Sequence, residues 1–286
     1  MQIELLETFL DLMETRSFNK TAERLEITQS TVSNRVQALE SALGRRLFSR
    51  SRAGTEPTVA GHRFAEHARA LRHEWHVARR AIGATGNFAE AMRIGMQHDL
   101  AATRIGEWVS EFRQALPHTS FYVELDFSNQ MSADLLSGDL DLAVLFTPRN
   151  VPDLHYEMVG EIVYRMVSTH ADTMGAIDPQ RYIPANYSPA FARSHRQLMP
   201  EIGEAAVASG QNAAVCGLLA ALGGTAIVLE ESAHGLVAQG GYVLVEDAPP
   251  VTQPVYQAVH LRHRHSPTHR KLLTILRRRF SAAGQG

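Results

Sequence analysis

The sequence predicts a multidomain α+β protein in three parts: an N-terminal winged helix-turn-helix (residues 1–58), a coiled-coil linker helix (59–86) and a C-terminal two-lobed α/β domain (91–286). Three observations carry that prediction. Two short helix-periodic stretches are separated by only Glu26-Ile27-Thr28; an apolar residue recurs every third or fourth position from Phe64 to Ile82; and from Ala91 the pattern changes to alternating strand and helix. At 286 residues the chain exceeds one ordinary core, and 44% hydrophobic residues suffice to build more than one.

Leu5, Leu6, Phe9, Leu12 and Met13 give a first amphipathic helix. Ser17 reads as the N-cap of a short second helix from Phe18 to Leu25, with Ala22 and Leu25 inward. The third starts at Gln29 behind the cap Thr28, buries Val32, Val36, Leu39 and Leu43, and stops at Gly44. Two helices joined by about three residues make a helix-turn-helix.

The third helix turns Ser30, Asn34 and Gln37 away from Val32, flanked by Thr31 and Ser33 and preceded by Gln29. These are poor or middling helix formers, so local stability does not explain them. Short polar groups admit a helix to a major groove about 12 Å wide, where Asn and Gln pair with adenine and Ser or Thr with either partner. A solvated face would favour Glu, Lys and Ala instead. Arg35, Arg45, Arg46, Arg50 and Arg52 lie alongside, and SRAGTEPT supplies a turn between short extended pieces, as a wing would. Arginines there suit phosphate oxygens or the minor groove.

Charge is distributed unevenly around the net −2: residues 1–89 carry +3, 90–259 carry −12 and 260–286 carry +7. A near-neutral total therefore does not argue against a polyanionic partner, since local charge sets the field it meets.

On these residues the N-terminal part resembles the winged helix-turn-helix of LysR-type transcriptional regulators. The resemblance rests on Ser17, Phe18, Ala22, Leu25, Gln29, Ser33, Leu39, Glu40, Leu43, Gly44, Leu47, Phe48, Arg50, Thr58 and Gly61. It departs at Glu56-Pro57, where that family usually has a leucine before the threonine.

Phe64, Ala68, Leu71, Trp75, Ala78 and Ile82 step by four and three, a seam that would pair two chains and set two recognition helices on one duplex, favouring an approximate inverted repeat. LysR-like proteins use their linker helix so. His62, His67, His73 and His76 lack metal-ligand spacing and read as solvated or interface residues. GATGN, residues 83–87, is a candidate hinge.

In the C-terminal part MRIGM is a strand, Asp99 caps a helix, FYVELDF alternates, SNQMSADLLSG is a helix and DLAVLF a buried strand, implying a parallel sheet. LHYEMVGEIVYRMVST reads as extended segments, SGQNAAVCGLLAALGG as a helix, TAIVL, GYVLVED and PVYQAVHLRH as strands, and Ser266-Pro267 opens a final helix. Lobe I is expected at about 91–150 plus 262–286 and lobe II at about 151–261. Two lobes joined by crossing strands resemble a periplasmic-binding-protein-like effector domain, as in LysR-type regulators. That resemblance implies a ligand cleft lined by Gln97, His98, Asp99, Leu100, Ser128, Asn129, Thr147, Gln211, Asn212 and Thr225. Helix N-termini there favour anions, yet Asp99 and the −12 charge disfavour an acidic ligand. A neutral or cationic effector, or none, is the expectation; Asp99 is read either as a ligand contact or as a cap. Residues 173–204 fit no common second-lobe pattern, although RYIPANYSPAF is weakly similar to a branch of the family that includes a repressor of the flagellar master operon.

Cys216 in VCGLLAAL reads as a buried small hydrophobe rather than a redox sensor, and a single cysteine permits no internal disulfide. No metal or other cofactor is expected. Four histidines from His260 to His269 leave a metal or pH-sensitive patch as the lesser reading of a solvated basic helix face. No stretch of about 18 apolar residues occurs and the N-terminus lacks signal-peptide character, so a cytoplasmic location is expected. No G-x-S-x-G, G-x-G-x-x-G, Walker, H-E-x-x-H or C-x-x-C motif points to an enzyme. The expected partners are double-stranded DNA, a small-molecule effector and further copies of the chain as a homodimer or homotetramer, with RNA polymerase a further candidate. The competing function is an architectural DNA-binding protein needing no effector.

Overall fold

The computed structural model describes residues 2–51, 54–83, 88, 90–200 and 206–283. The chain divides into two compact units, Met1–Gly86 with Leu136–Asp139, and Asn87–Leu135 with Leu140–Gly286.

The first unit runs α1 (Ile3–Thr15), α2 (Phe18–Arg24), α3 (Gln29–Leu43), the hairpin β1 (Phe48–Ser51) and β2 (Gly54–Pro57), and α4 (Val59–Gly83). Its core gathers Leu6, Phe9, Leu12, Val32, Val36, Leu39, Leu47 and Phe48. The Phe9 ring lies 5.5 Å from Phe48 and 5.2 Å from Phe64, tying the first helix to wing and linker. Ser17 Oγ accepts from Lys20 N and Thr28 Oγ1 from Thr31 N, so both expected N-caps are made. Gly44, at φ 64°, closes α3 in the left-handed region. Leu43 was expected inside but is 40% exposed, because the core ends at Leu39 and the last turn of α3 runs past it.

Three residues fix the start of α4. Thr58 Oγ1 donates to Arg46 O (2.8 Å) and accepts from Gly61 N (3.1 Å), while Thr58 N donates to Leu47 O (2.8 Å). A Cβ at Gly61 would stand 2.3 Å from Leu47 O, so only glycine lets the helix approach the wing this closely. Pro57 ends β2 opposite Phe48, a strand terminus that tolerates its missing N–H.

The second unit runs β3 (Glu90–Met96), α5 (His98–Ala115), β4 (Thr119–Leu125), α6 (Ser128–Ser137), β5 (Leu142–Leu145), β6 (Leu154–Ser168), α7 (Pro189–Leu198), α8 (Asn212–Leu222), β7 (Thr225–Leu229), α9 (Glu230–Gln239), β8 (Val243–Leu244), β9 (Val251–His260) and α10 (Pro267–Ala283). The strands follow the order β4-β3-β5-β9-β6-β7, with β8 against β6. β3 lies parallel to β4 and β5; the pairings of β5 with β9 and of β6 with β7, β8 and β9 are antiparallel. The expected parallel sheet is therefore confined to β3, β4 and β5. β6 and β9 pair from Leu154 with His260 to Tyr164 with Val251, broken by a bulge between Met158 and Gly160. One end of this ladder takes β5 and the other takes β7, so the two long strands serve both lobes.

Two helices were not read from the sequence. α9 begins directly after the buried strand β7, and its inward residues are only Ala233 and Leu236. α7 begins at Pro189 behind the cap Ser188 and buries Phe191 and His195 one turn apart. The basic C-terminal helix keeps Arg270, Lys271, Arg277 and Arg278 exposed, a solvated face, and part of it pairs: Arg279 Nη1 contacts Glu107 Oε2 at 3.2 Å, and Arg278 pairs with Glu111, so α10 neutralises acids of α5. Among the described residues no group of three His, Cys, Asp or Glu is disposed to hold a metal; His263 and His269 instead stack with ring centroids 4.7 Å apart.

Candidate nucleic-acid interface and ligand cleft

α3 separates its duties by face. Val32, Val36 and Leu39 are buried, whereas Gln29, Ser30, Asn34 and Gln37 are exposed and Thr31 and Ser33 half-buried. Thr28 Oγ1 lies 2.9 Å from Ser30 Oγ and 2.8 Å from Thr31 Oγ1, so the first-turn hydroxyls are held by one another. Gln29, Ser33, Asn34 and Gln37 spend no side-chain hydrogen bond within the described residues. Arg35 differs: its Nη1 donates to Thr8 Oγ1 at 3.2 Å and braces α3 on α1. Glu40 Oε1 accepts from Leu47 N (2.7 Å) and Phe48 N (3.1 Å), fastening the wing to α3. Arg45 and Arg46 are exposed; Arg50 sits in β1 opposite Thr55; of the candidate hinge at 83–87 Gly83 ends α4, and residues 84–87, like Arg52, lie outside the described residues.

The seam residues of α4 divide. Phe64 and Ala68 pack in the first unit's own core, so they are already covered within one chain. Leu71 (44%), Trp75 (50%) and Ile82 (85%) are exposed, as is Ala78. Leu71 and Trp75 also line a groove of about 350 Å³ with Ile3 and Leu6. His62 and His67 are exposed, but His73 and His76 are buried, which corrects the solvated reading for those two.

In the second unit a cleft of about 790 Å³ is bounded by Gln97 after β3, Phe127, Ser128 and Asn129 at the start of α6, Thr147 after β5, residues 186–189, Ala192, Arg193 and Arg196 on α7, and residues 208–210. Four of the ten residues expected to line the cleft, Gln97, Ser128, Asn129 and Thr147, line it. Ser128 Oγ accepts from Phe146 N and Thr147 N, both 3.1 Å, so its hydroxyl is largely committed to the β5 loop. Gln97 is 4% exposed, and among the described residues its Oε1 has no hydrogen-bond partner; nor has the buried Oγ1 of Thr147.

Of the other six, Asp99, Asn212 and Thr225 are turned to internal duties. Asp99 is buried: its Oδ1 accepts from Asn212 N (2.9 Å) and its Oδ2 from Tyr164 OH (2.9 Å). It thus caps α8 and not, as expected, its own helix α5, whose N-cap is Gln97; burial holds its pKa above the usual carboxylate range against those two hydrogen bonds. Asn212 Oδ1 accepts from Leu229 N (2.8 Å) and its Nδ2 donates to Ser232 Oγ (2.9 Å). Thr225, fully buried, pairs its hydroxyl with Ser168 Oγ at 2.7 Å. His98 rests its ring 5.5 Å from Phe127, beside the lining. Leu100 is core, and Gln211 makes no side-chain cap. Cys216 is half-buried, with its thiol pKa raised by burial, the environment of an unreactive cysteine.

The α7 wall was not legible in the sequence. Tyr187 stacks on Tyr164 (4.6 Å, 9°), Phe191 meets Tyr164 edge-on at 5.0 Å, and Tyr182 Oη lies 2.8 Å from His195 Nε2. Burial holds His195 below its ordinary pKa. With Phe191 and His195 fixed inward, the 3.6-residue period turns Ala192, Arg193 and Arg196 to the cleft. Gln253 of β9 joins the walls: its Nε2 donates to Phe146 O (3.4 Å) and its Oε1 accepts from the Ser188 hydroxyl.

Comparison with known proteins agrees with both halves. Residues 3–62 match the bacterial regulatory helix-turn-helix protein, lysR family, and residues 85–281 the LysR substrate binding domain. The HTH-type transcriptional regulator HdfR of Yersinia pestis (strain Pestoides F) is 26% identical over 266 residues, covering 90% of this chain and 89% of that one, and HdfR of Yersinia pseudotuberculosis serotype O:1b matches equally. Among solved structures, ArgP from Mycobacterium tuberculosis has a TM-score of 0.57 at 22% identity, covering 97% of this chain and 96% of that one. Full-length LysG from Corynebacterium glutamicum with bound effector Arg has a TM-score of 0.53 at 20% identity, covering 97% of each chain. Among the described residues no helix is long and apolar enough to cross a membrane. With both family regions matched and the helix-turn-helix and lobed α/β domain in place, the chain belongs to the LysR family of transcriptional regulators, which bind DNA and are not enzymes.

Proposed function

We propose that this regulator reads its operator through the exposed face of α3, with Gln29, Ser30, Thr31, Ser33, Asn34 and Gln37 toward the base edges. The observation that carries the reading is that Gln29, Ser33, Asn34 and Gln37 make no side-chain hydrogen bond among the described residues, on a helix whose other face is core. A polar face that the fold does not use is available to a partner. Arg50 and Arg52 then serve the phosphates, while Arg35, tied to Thr8, positions α3. Two chains join along Leu71, Trp75, Ala78 and Ile82, whose exposure on one helix leaves an apolar stripe for a second copy. The operator is then an interrupted inverted repeat, and dimers assemble further into a tetramer. A small effector binds in the cleft between Gln97, Thr147 and α7 and alters the geometry of the DNA-bound assembly, the form in which RNA polymerase would be engaged.

The test is selection of genome fragments by the purified protein at near-physiological salt, followed by footprinting. Enrichment of an interrupted inverted repeat, abolished by Trp75→Asp together with dimerisation, is the expected result. Uniform recovery of fragments with and without added metabolites would leave only sequence-independent binding.

A further inference from the structure

The cleft's lining contradicts the charge of the domain around it. Residues 90–259 sum to −12, yet the cleft's described lining holds two arginines and no carboxylate. Both arginines stand one turn apart on α7, clamped from behind by Phe191 and His195. Arg193 has no ion-pair or hydrogen-bond partner among the described residues, and Arg196 spends only its Nε, on Ala192 O at 3.2 Å. The same lining holds two buried acceptors with no hydrogen-bond partner among the described residues, the Oε1 of Gln97, a residue 4% exposed, and Thr147 Oγ1. A buried acceptor with no donor destabilises the fold, a cost a ligand's N–H or O–H would remove. The nearby N-terminus of α8, a natural anion seat, is already filled by the Asp99 carboxylate on Asn212 N. Phe127, Tyr187 and Pro189 supply the apolar remainder.

From this arrangement we propose that the effector is a small carboxylate bearing a hydroxyl or amino donor: its carboxylate binds Arg193 and Arg196, and its donor binds Gln97 Oε1 and Thr147. The inference rests on the cleft being the effector site and adds the ligand's chemical class. It replaces the neutral or cationic expectation drawn from total charge, because a guanidinium pair facing the cavity outweighs distant, solvent-screened carboxylates.

The test uses the full chain and two matched series, calorimetrically titrated: 3-phenyllactate, 3-phenylpropanoate, 3-phenyllactamide and phenethylamine, and the smaller lactate, propionate, lactamide and ethylamine. In at least one series the hydroxy acid should bind about tenfold tighter than the acid lacking the hydroxyl and than the amide, and the amine should not bind. Arg193→Gln with Arg196→Gln should remove the preference for acid over amide, and Gln97→Leu the preference for hydroxy acid over plain acid. Both arginines are exposed, so their replacement leaves the fold intact. Tighter binding of amide or amine that Ala192→Trp abolishes would overturn the ligand class and leave the cleft as the site. Binding that survives Ala192→Trp would overturn the cleft itself, and no binding in either series would overturn the proposal.

Discussion

The polar face of α3 and the polar lining of the cleft differ in who uses their hydrogen bonds. On α3, Gln29, Ser33, Asn34 and Gln37 make no side-chain hydrogen bond among the described residues. In the effector domain most polar side chains near the expected contacts serve the protein: Asp99 caps α8, Asn212 ties α8 to β7 and α9, and Thr225 holds Ser168. Among the cleft's described lining, Gln97 Oε1 and Thr147 Oγ1 are buried acceptors left without a partner. Polarity at a predicted site therefore says little until the internal partners are known, because a satisfied group has nothing to offer a ligand.

The sharpest way to break this contrast is at Asp99. Asp99→Ala removes the acceptor of two buried donors, Asn212 N and Tyr164 OH, and should cost about 2–4 kcal/mol of effector-domain stability in urea unfolding. A near-neutral Asp99→Ala that instead abolishes effector response would return Asp99 to the ligand site.

A comparable effect should follow pH. Burial pushes His269 down to about 4 from its ordinary 6.5, so the folded state resists a proton that the unfolded chain accepts. The stability this neutral histidine supports is complete above pH 6.5 and falls as pH drops toward 4, by on the order of 3 kcal/mol. His260, also pushed to about 4, adds to the same slope. Melting temperature measured from pH 7 to pH 4 for the native chain and His269→Leu should show a shallower acid decline in the variant; equal slopes would exclude this role.

On α3 the prediction is the reverse, loss of discrimination without loss of stability. Asn34→Ala or Ser33→Ala should leave the unfolding free energy within about 0.5 kcal/mol of native, since neither side chain bonds within the described fold. Discrimination at one operator position should fall by about 1–3 kcal/mol. The smallest effect belongs to Arg50→Ala, which should weaken all sequences alike and lower the salt slope by about one; a sequence-dependent loss would place Arg50 on a base.

How far the sequence foretold each region follows from the same contrast. α3 was legible because one period of 3.6 sorts Val32, Val36 and Leu39 from Ser30, Asn34 and Gln37, and Thr28 and Gly44 mark its ends. Thr58 and Gly61 were legible as motif residues, and the structure supplies their reason in the approach to Leu47 O. The cleft was half legible: strand ends located Gln97, Ser128, Asn129 and Thr147. Its α7 wall was not, since a ten-residue helix with only Phe191 and His195 inward gives too little periodic signal. Nor does any local pattern tell that Asp99 caps a helix 113 positions further along the chain. The linker seam lies between: Phe64 and Ala68 are spent in the first unit's own core, while Leu71, Trp75, Ala78 and Ile82 are exposed.

The central claim is that α3 presents a base-reading face, and one ratio tests it most directly. Affinity would be measured for a selected operator and for its scrambled duplex, at one salt concentration, with the native protein and with Asn34→Ala. The account predicts a high ratio for the native protein that drops about tenfold or more in Asn34→Ala while scrambled-duplex affinity stays constant. An unchanged ratio in both Asn34→Ala and Ser33→Ala would mean that sequence is read elsewhere.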